Sequence, residues 1–157
     1  MNRLVAVLSV AVAAAAFAED LKPGQEAELA NFTKEVQTNL DALNEACGTK
    51  FTTVQSDFAH YDKTKFTSMH PGQVCQSMLL GVKMVCGTPA YKKAVASKVK
   101  GLACLFAGVK VLPPDRENTR EKANLSFEKG VFAYRLDTDH AGAAIAAKQV
   151  LEAALDK

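Results

Sequence analysis

The sequence predicts an α+β fold: a small, mostly antiparallel sheet of about four strands, including a C-terminal hairpin, with helices packed on it and two disulfides. Three observations predict it. Two long stretches carry apolar residues at helical spacing, Gln25–Cys47 and Pro71–Cys86. The segment Asn124–Leu136, NLSFEKGVFAYRL, alternates about Lys129-Gly130 as a hairpin does. Four cysteines follow a stretch that reads as an export signal.

That signal is MNRLVAVLSVAVAAAAFA, residues 1–18. Arg3 gives a positive start, Leu4 to Ala15 an apolar run, and Ala16-Phe17-Ala18 a small-residue cleavage site. It is too short to span a bilayer, and no other apolar run approaches that length. Its brevity favours a bacterial host. Residues 19–157 are then one exported domain, periplasmic or extracellular, in an oxidising space where an even cysteine count reads as disulfides.

In the first helix, Leu29, Phe32, Val36, Leu40, Leu43 and Cys47 share one face, and Gly48 suits the C-terminal cap. Glu26 and Glu28 sit in the first turn, where they complement the helix dipole. Lys50–Phe58 favours a strand through Phe51, Thr52, Thr53 and Val54, though Phe51, Val54, Phe58 and Tyr61 also fit a helical stripe. Ala59–Met69 reads as loop. Pro71 opens the second helix and Gly87 suits its cap. Thr88-Pro89 starts a third helix, to about Lys98, burying Tyr91, Ala94 and Val95. Val99–Gly108 is a short buried strand. Pro113-Pro114-Asp115 ends it, and Arg116–Lys122 is a charged connector. In the hairpin, a turn at Lys129-Gly130 sets Phe127 opposite Phe132 and Leu125 opposite Tyr134. Asp137-Thr138-Asp139 would cap a last helix from His140 to about Leu155, whose Ala144 and Ala147 let it lie close on a sheet.

The cysteines are Cys47, Cys75, Cys86 and Cys104. Cys75 and Cys86 project from almost the same helix face but sit about 16 Å apart along the axis. A disulfide needs Cα atoms within roughly 7 Å, so these two cannot bond. Cys47–Cys75 with Cys86–Cys104, or Cys47–Cys86 with Cys75–Cys104, remains. The first closes shorter loops and is preferred on that ground.

Charge is segregated. Nine carboxylates lie between Glu19 and Asp62, against Lys22, Lys34 and Lys50. Between Asp62 and Asp115 there is none. The acidic helix can lie against the basic ones, a modest surface attraction. Alternatively Lys83, Lys92, Lys93, Lys98 and Lys100 form a one-sided surface for an anionic or protein partner. Nucleic acid fits poorly, since arginines and interleaved aromatics are few. The edge of a short sheet is the other candidate surface, through strand addition.

Motifs for chemistry are missing. His60, Asp62 and His70 make a partial metal set, but no H-x-x-x-H or C-x-x-C is present. Asp137-Thr138-Asp139 lacks the glycine and distal glutamate of a calcium loop. Asp57 with Asp62 or Asp41 could pair as acids, though nothing in the sequence joins them. No G-x-S-x-G and no phosphate-cradling glycine loop occurs. No catalytic residue, metal or cofactor is therefore assigned. The function expected is a disulfide-stabilised, exported, non-enzymatic binding domain. The alternatives are a small extracytoplasmic hydrolase, or a periplasmic inhibitor or immunity-type protein.

Overall fold

A computed structural model describes residues 21–113, 117–136, 138 and 142–157. The signal segment 1–18, Pro114-Asp115, Asp137, Asp139 and His140 lie outside the described residues.

The first helix, α1, runs Gln25–Cys47, and Gly48 caps it at φ 68°. Its apolar stripe is buried as the spacing requires: Phe32, Val36, Leu40, Leu43 and Cys47 all lie in the core. The next segment is less regular than expected. Only Gln55–Ser56 forms a strand, β1, and two 3-10 turns follow, Phe58–His60 and Lys63–Lys65. Helix α2 covers Pro71–Val85, with Pro71 in its first turn and the His70 N–H donating to Gln73 Oε1 at 3.2 Å. Cys86, not Gly87, takes its C-cap position, in an ordinary negative-φ conformation. Helix α3, Pro89–Lys98, starts on Thr88, whose Oγ1 accepts from the Tyr91 N–H; Val95 is its buried residue.

Strand β2 is Gly101–Leu105. The charged connector contains a short helix, α4, at Thr119–Ala123. Strands β3, Leu125–Glu128, and β4, Val131–Arg135, form the hairpin. Its register pairs Phe127 with Phe132 and Leu125 with Tyr134. Lys129 and Gly130 both take positive φ, 51° and 83°, which is what a two-residue turn matched to strand twist demands. The last helix, α5, is Ala144–Leu155, with Ala143 at its N-cap.

The sheet has four strands in the order β1-β2-β4-β3. It is mixed rather than mostly antiparallel. Strand β1 pairs parallel with β2, and β2 parallel with β4; only the hairpin pair is antiparallel. The connections explain this. The chain leaves β1 through two helices before returning as β2, and such a crossover places strands in the same direction. Strand β4 then inserts between β2 and its own hairpin partner. One sheet face carries Leu102, Cys104, Phe132, Tyr134 and Leu125, and these share a core with the buried faces of α1, α2 and α5.

The disulfides are Cys47–Cys86 and Cys75–Cys104, which corrects the pairing preferred from loop length. Helices α1 and α2 run side by side in the same direction: Gly72 lies against Glu35 near one end, and Cys86 bonds Cys47 at the other. Cys75 is therefore most of a helix length from Cys47, and faces β2 instead.

Helix α5 meets α2 at Gly81. The small residues Ala144 and Ala147 pack there against α2, while α5 also lies against β3 as expected. A Cβ at Gly81 would stand 2.5 Å from the Ala144 carbonyl oxygen and 2.6 Å from the Ala147 Cβ. Gly81→Ala should thus destabilise by about 2 kcal/mol, the overpacking outweighing alanine's better helix propensity. Urea denaturation would show it as a lower midpoint; an unchanged or higher midpoint would mean that the helices can separate freely.

Candidate functional site

The three parallel strands point the same way, so their carboxyl ends gather at one edge. Asp57 follows β1, Phe106 follows β2 and Leu136 follows β4. In open sheets, ligands commonly sit outside the carboxyl ends of parallel strands. Here the crevice is a cleft of about 670 Å³. His60, Asp62, Lys65 and Phe66 come from the segment after β1. Phe106 to Val109 and Val111 follow β2, and Leu136 and Thr138 follow β4.

Aromatic packing builds its floor. Phe58 is fully buried, with ring centroids 4.7 Å from Tyr61, 5.0 Å from Phe106 and 5.7 Å from Phe32. Tyr61 and Phe106 are 5.3 Å apart, and Phe66 closes the group at 5.4 Å from Tyr61 and 5.7 Å from Phe106. All of these pairs are tilted or edge-to-face, arrangements that bring ring edges toward ring faces. Phe66 and Phe106 are only half-buried and carry the cluster to the cleft surface.

Polar bonds hold the walls. The Asp57 carboxylate accepts from the Phe106 N–H through one oxygen and from the Ala107 N–H through the other at 3.1 Å. It thereby pins the chain leaving β2 to the chain leaving β1. The Thr138 hydroxyl donates to the Lys65 carbonyl at 3.0 Å, tying the third strand's exit to the same wall. The Gln25 amide donates to the Tyr61 carbonyl at 3.1 Å, anchoring that wall to the start of α1.

The rim carries ionisable groups. His60 Nδ1 stands 3.6 Å from Asp57 Oδ2, and its side chain is 64% exposed. Asp62 accepts from the Thr64 hydroxyl at 2.7 Å and the Thr64 N–H at 3.0 Å, both on Oδ1. These bonds, with Lys65 and Lys22 nearby, hold its carboxyl below the usual range, so it is ionised at neutral pH. Burial pushes the Tyr61 phenol up, with Glu28 and Asp62 adding to the effect, so it stays protonated.

The lysines proposed from sequence lie elsewhere in the fold. Lys92, Lys93 and Lys98 lie on α3, Lys83 on α2 and Lys100 just before β2. None of them lines the cleft. Lys98 Nζ donates to the Leu155 carbonyl at 2.7 Å, closing the C-terminal end of α5, and the Lys92 stem lies beside Gly48. Among the described residues, the one ion pair between the acidic first third and the basic middle is Lys63–Glu28 at 2.7 Å. The partial metal set splits: His60 and Asp62 reach the cleft, whereas His70 stands at the start of α2. Among the described residues no three His, Cys, Asp or Glu side chains could hold a metal. Asp41 accepts from Gln37 on α1, while Asp57 accepts from the Phe106 and Ala107 amides.

Phe66, Phe106 and Leu136 were not singled out from sequence. The one signal was the spacing of Phe58 and Tyr61, which belongs to a turn rather than a helix. Compared with known proteins, the chain matches no family model, and neither a curated protein nor a solved structure is significantly similar to it. No described helix is long and apolar enough to cross a membrane.

Proposed function

We propose that this protein is an exported binding module that holds a small ligand with an apolar body in the cleft at the carboxyl ends of β1, β2 and β4. The observation that carries the reading is the convergence of all three parallel strands on one crevice floored by half-exposed rings. Its volume lies within the range typical of small-molecule sites, roughly 300–1,000 Å³. Binding is favoured over hydrolysis because the carboxylate facing His60 is committed to two backbone amides. The Thr138 hydroxyl likewise gives its proton to a carbonyl. The signal-like N-terminal segment and the two disulfides support an oxidising compartment.

The test uses N-phenyl-1-naphthylamine, a neutral apolar fluorophore. The protein should bind it at one site. Phe66→Asp should weaken binding by about tenfold, since a carboxylate in the apolar wall must be desolvated, and Val111→Asp should weaken it as the bound fluorophore covers the side chain. Val111 is 79% exposed, so its substitution leaves the core intact. Lys92→Glu with Lys93→Glu should change nothing. Loss of binding in the lysine variant alone would overturn the cleft reading.

A further inference from the structure

We infer that the cleft takes a free aromatic α-amino acid, bound as its zwitterion through Lys65 and Asp62 with its ring against Phe66 and Phe106. This rests on the reading of the cleft as a ligand site.

The first observation is the shape of the floor. Phe66 and Phe106 meet at 77° with centroids 5.7 Å apart, so their half-exposed rings form a corner. A planar guest in that corner can lie on one ring face and receive the edge of the other. That continues the packing already present below, where Phe58 meets Phe106 at 77° and Tyr61 meets it at 66°. An aliphatic chain would fill the volume but not use the geometry.

The second is the rim. Asp62 Oδ2 makes no hydrogen bond among the described residues, because both Thr64 donors go to Oδ1. Lys65 Nζ likewise has neither a hydrogen bond nor an ion pair there. The two side chains are three positions apart across one 3-10 turn, near enough for Lys65 to favour the ionised form of Asp62, yet they do not form an ion pair. An uncommitted ammonium and an uncommitted carboxylate oxygen beside each other match a guest with both charges on one carbon. Its carboxylate would meet Lys65 and its ammonium Asp62, each gaining a charge-assisted bond. A ligand of single charge would satisfy one group and oppose the other.

Calorimetric titration of the mature chain should show L-phenylalanine binding. N-acetyl-L-phenylalanine, which lacks the ammonium, and L-phenylalaninamide, which lacks the carboxylate, should each bind about tenfold more weakly. Asp62→Asn keeps an acceptor for Thr64 and should abolish the discrimination against the acetyl compound alone. Lys65→Met keeps the apolar stem and should abolish discrimination against the amide alone. Three ligands of equal affinity, or variants that leave the discrimination unchanged, would overturn the zwitterion assignment. Failure of all three with the fluorophore still bound overturns this inference and leaves the cleft reading standing. Failure of the fluorophore as well removes both.

Discussion

Phe58→Ala is expected to lower stability by about 4 kcal/mol, as for buried aromatic residues replaced by alanine. The ring is fully buried and touches Phe32, Tyr61 and Phe106. Its removal takes away the transfer free energy of a phenyl ring and leaves a hole that three aromatic neighbours cannot fill by small rotations. The loss should also reach the cleft. Phe106 packs on Phe58, Tyr61 and Phe66 and is held at its backbone by Asp57, so the substitution removes its nearest ring neighbour. Fluorophore binding should weaken even at temperatures where the variant is folded. Val111→Ala is the control: the side chain lies on the same cleft but is 79% exposed, and its truncation should stay within about 0.5 kcal/mol. Urea denaturation followed by far-ultraviolet circular dichroism measures both. A loss below about 1.5 kcal/mol for Phe58→Ala would mean that the cluster relaxes into the space, and that the cleft floor is softer than its packing implies.

The helices and the hairpin were legible in the sequence because their signals are local. An apolar stripe, a glycine at the C-terminal end and acidic residues in the first turn all bear on α1 within one segment. Thr88-Pro89 defines the start of α3 by itself, and Lys129-Gly130 sets the register of every pair in the hairpin. Strand direction is different in kind. It depends on which strands become neighbours, and β4 enters the sheet beside β2 only after the chain has passed through α4 and β3. The threonine-rich segment before β1 shows the same limit. Its β propensity is real, yet only Gln55–Ser56 finds a partner in β2, because context decides which residues of such a segment pair.

The cleft was the least legible feature. Its rings come from two separate segments, after β1 and after β2, with Phe32 behind them on α1, and no spacing rule links Phe66 to Phe106. Asp57 illustrates the point. From sequence it is one carboxylate among several in an acidic stretch, and its role appears only when the amides of Phe106 and Ala107 arrive opposite it. The lysine segregation was legible, and four of its five candidates follow one another on α3 and just before β2, away from the cleft. Lys98 is engaged at the end of α5, and Lys83 lies on α2.

Removal of Cys75–Cys104 by the double substitution Cys75→Ala with Cys104→Ala should cost about 3.5 kcal/mol, and removal of Cys47–Cys86 a similar amount. The bonds close loops of 29 and 39 positions. The chain-entropy relation makes such loops worth about 3.6 and 3.9 kcal/mol respectively. The pairing first expected, with loops of 28 and 18 positions, would have been only about 0.7 kcal/mol cheaper to close in total. A difference that small is easily outweighed by how the helices pack, so loop length was a poor guide. The two bonds should nonetheless differ in consequence. Cys75–Cys104 is wholly buried and fixes α2 to β2 two residues before Phe106, so its loss should weaken fluorophore binding as well as stability. Cys47–Cys86 joins the far ends of α1 and α2, and its loss should affect stability alone. Losing both should remove about 7 kcal/mol, comparable with the whole margin of a typical domain, so reductant should unfold the chain near room temperature. If the protein with all four cysteines replaced by alanine melts within a few degrees of the parent, the bonds are ornaments on a self-sufficient core. If it is unfolded, the fold depends on the compartment that oxidises it.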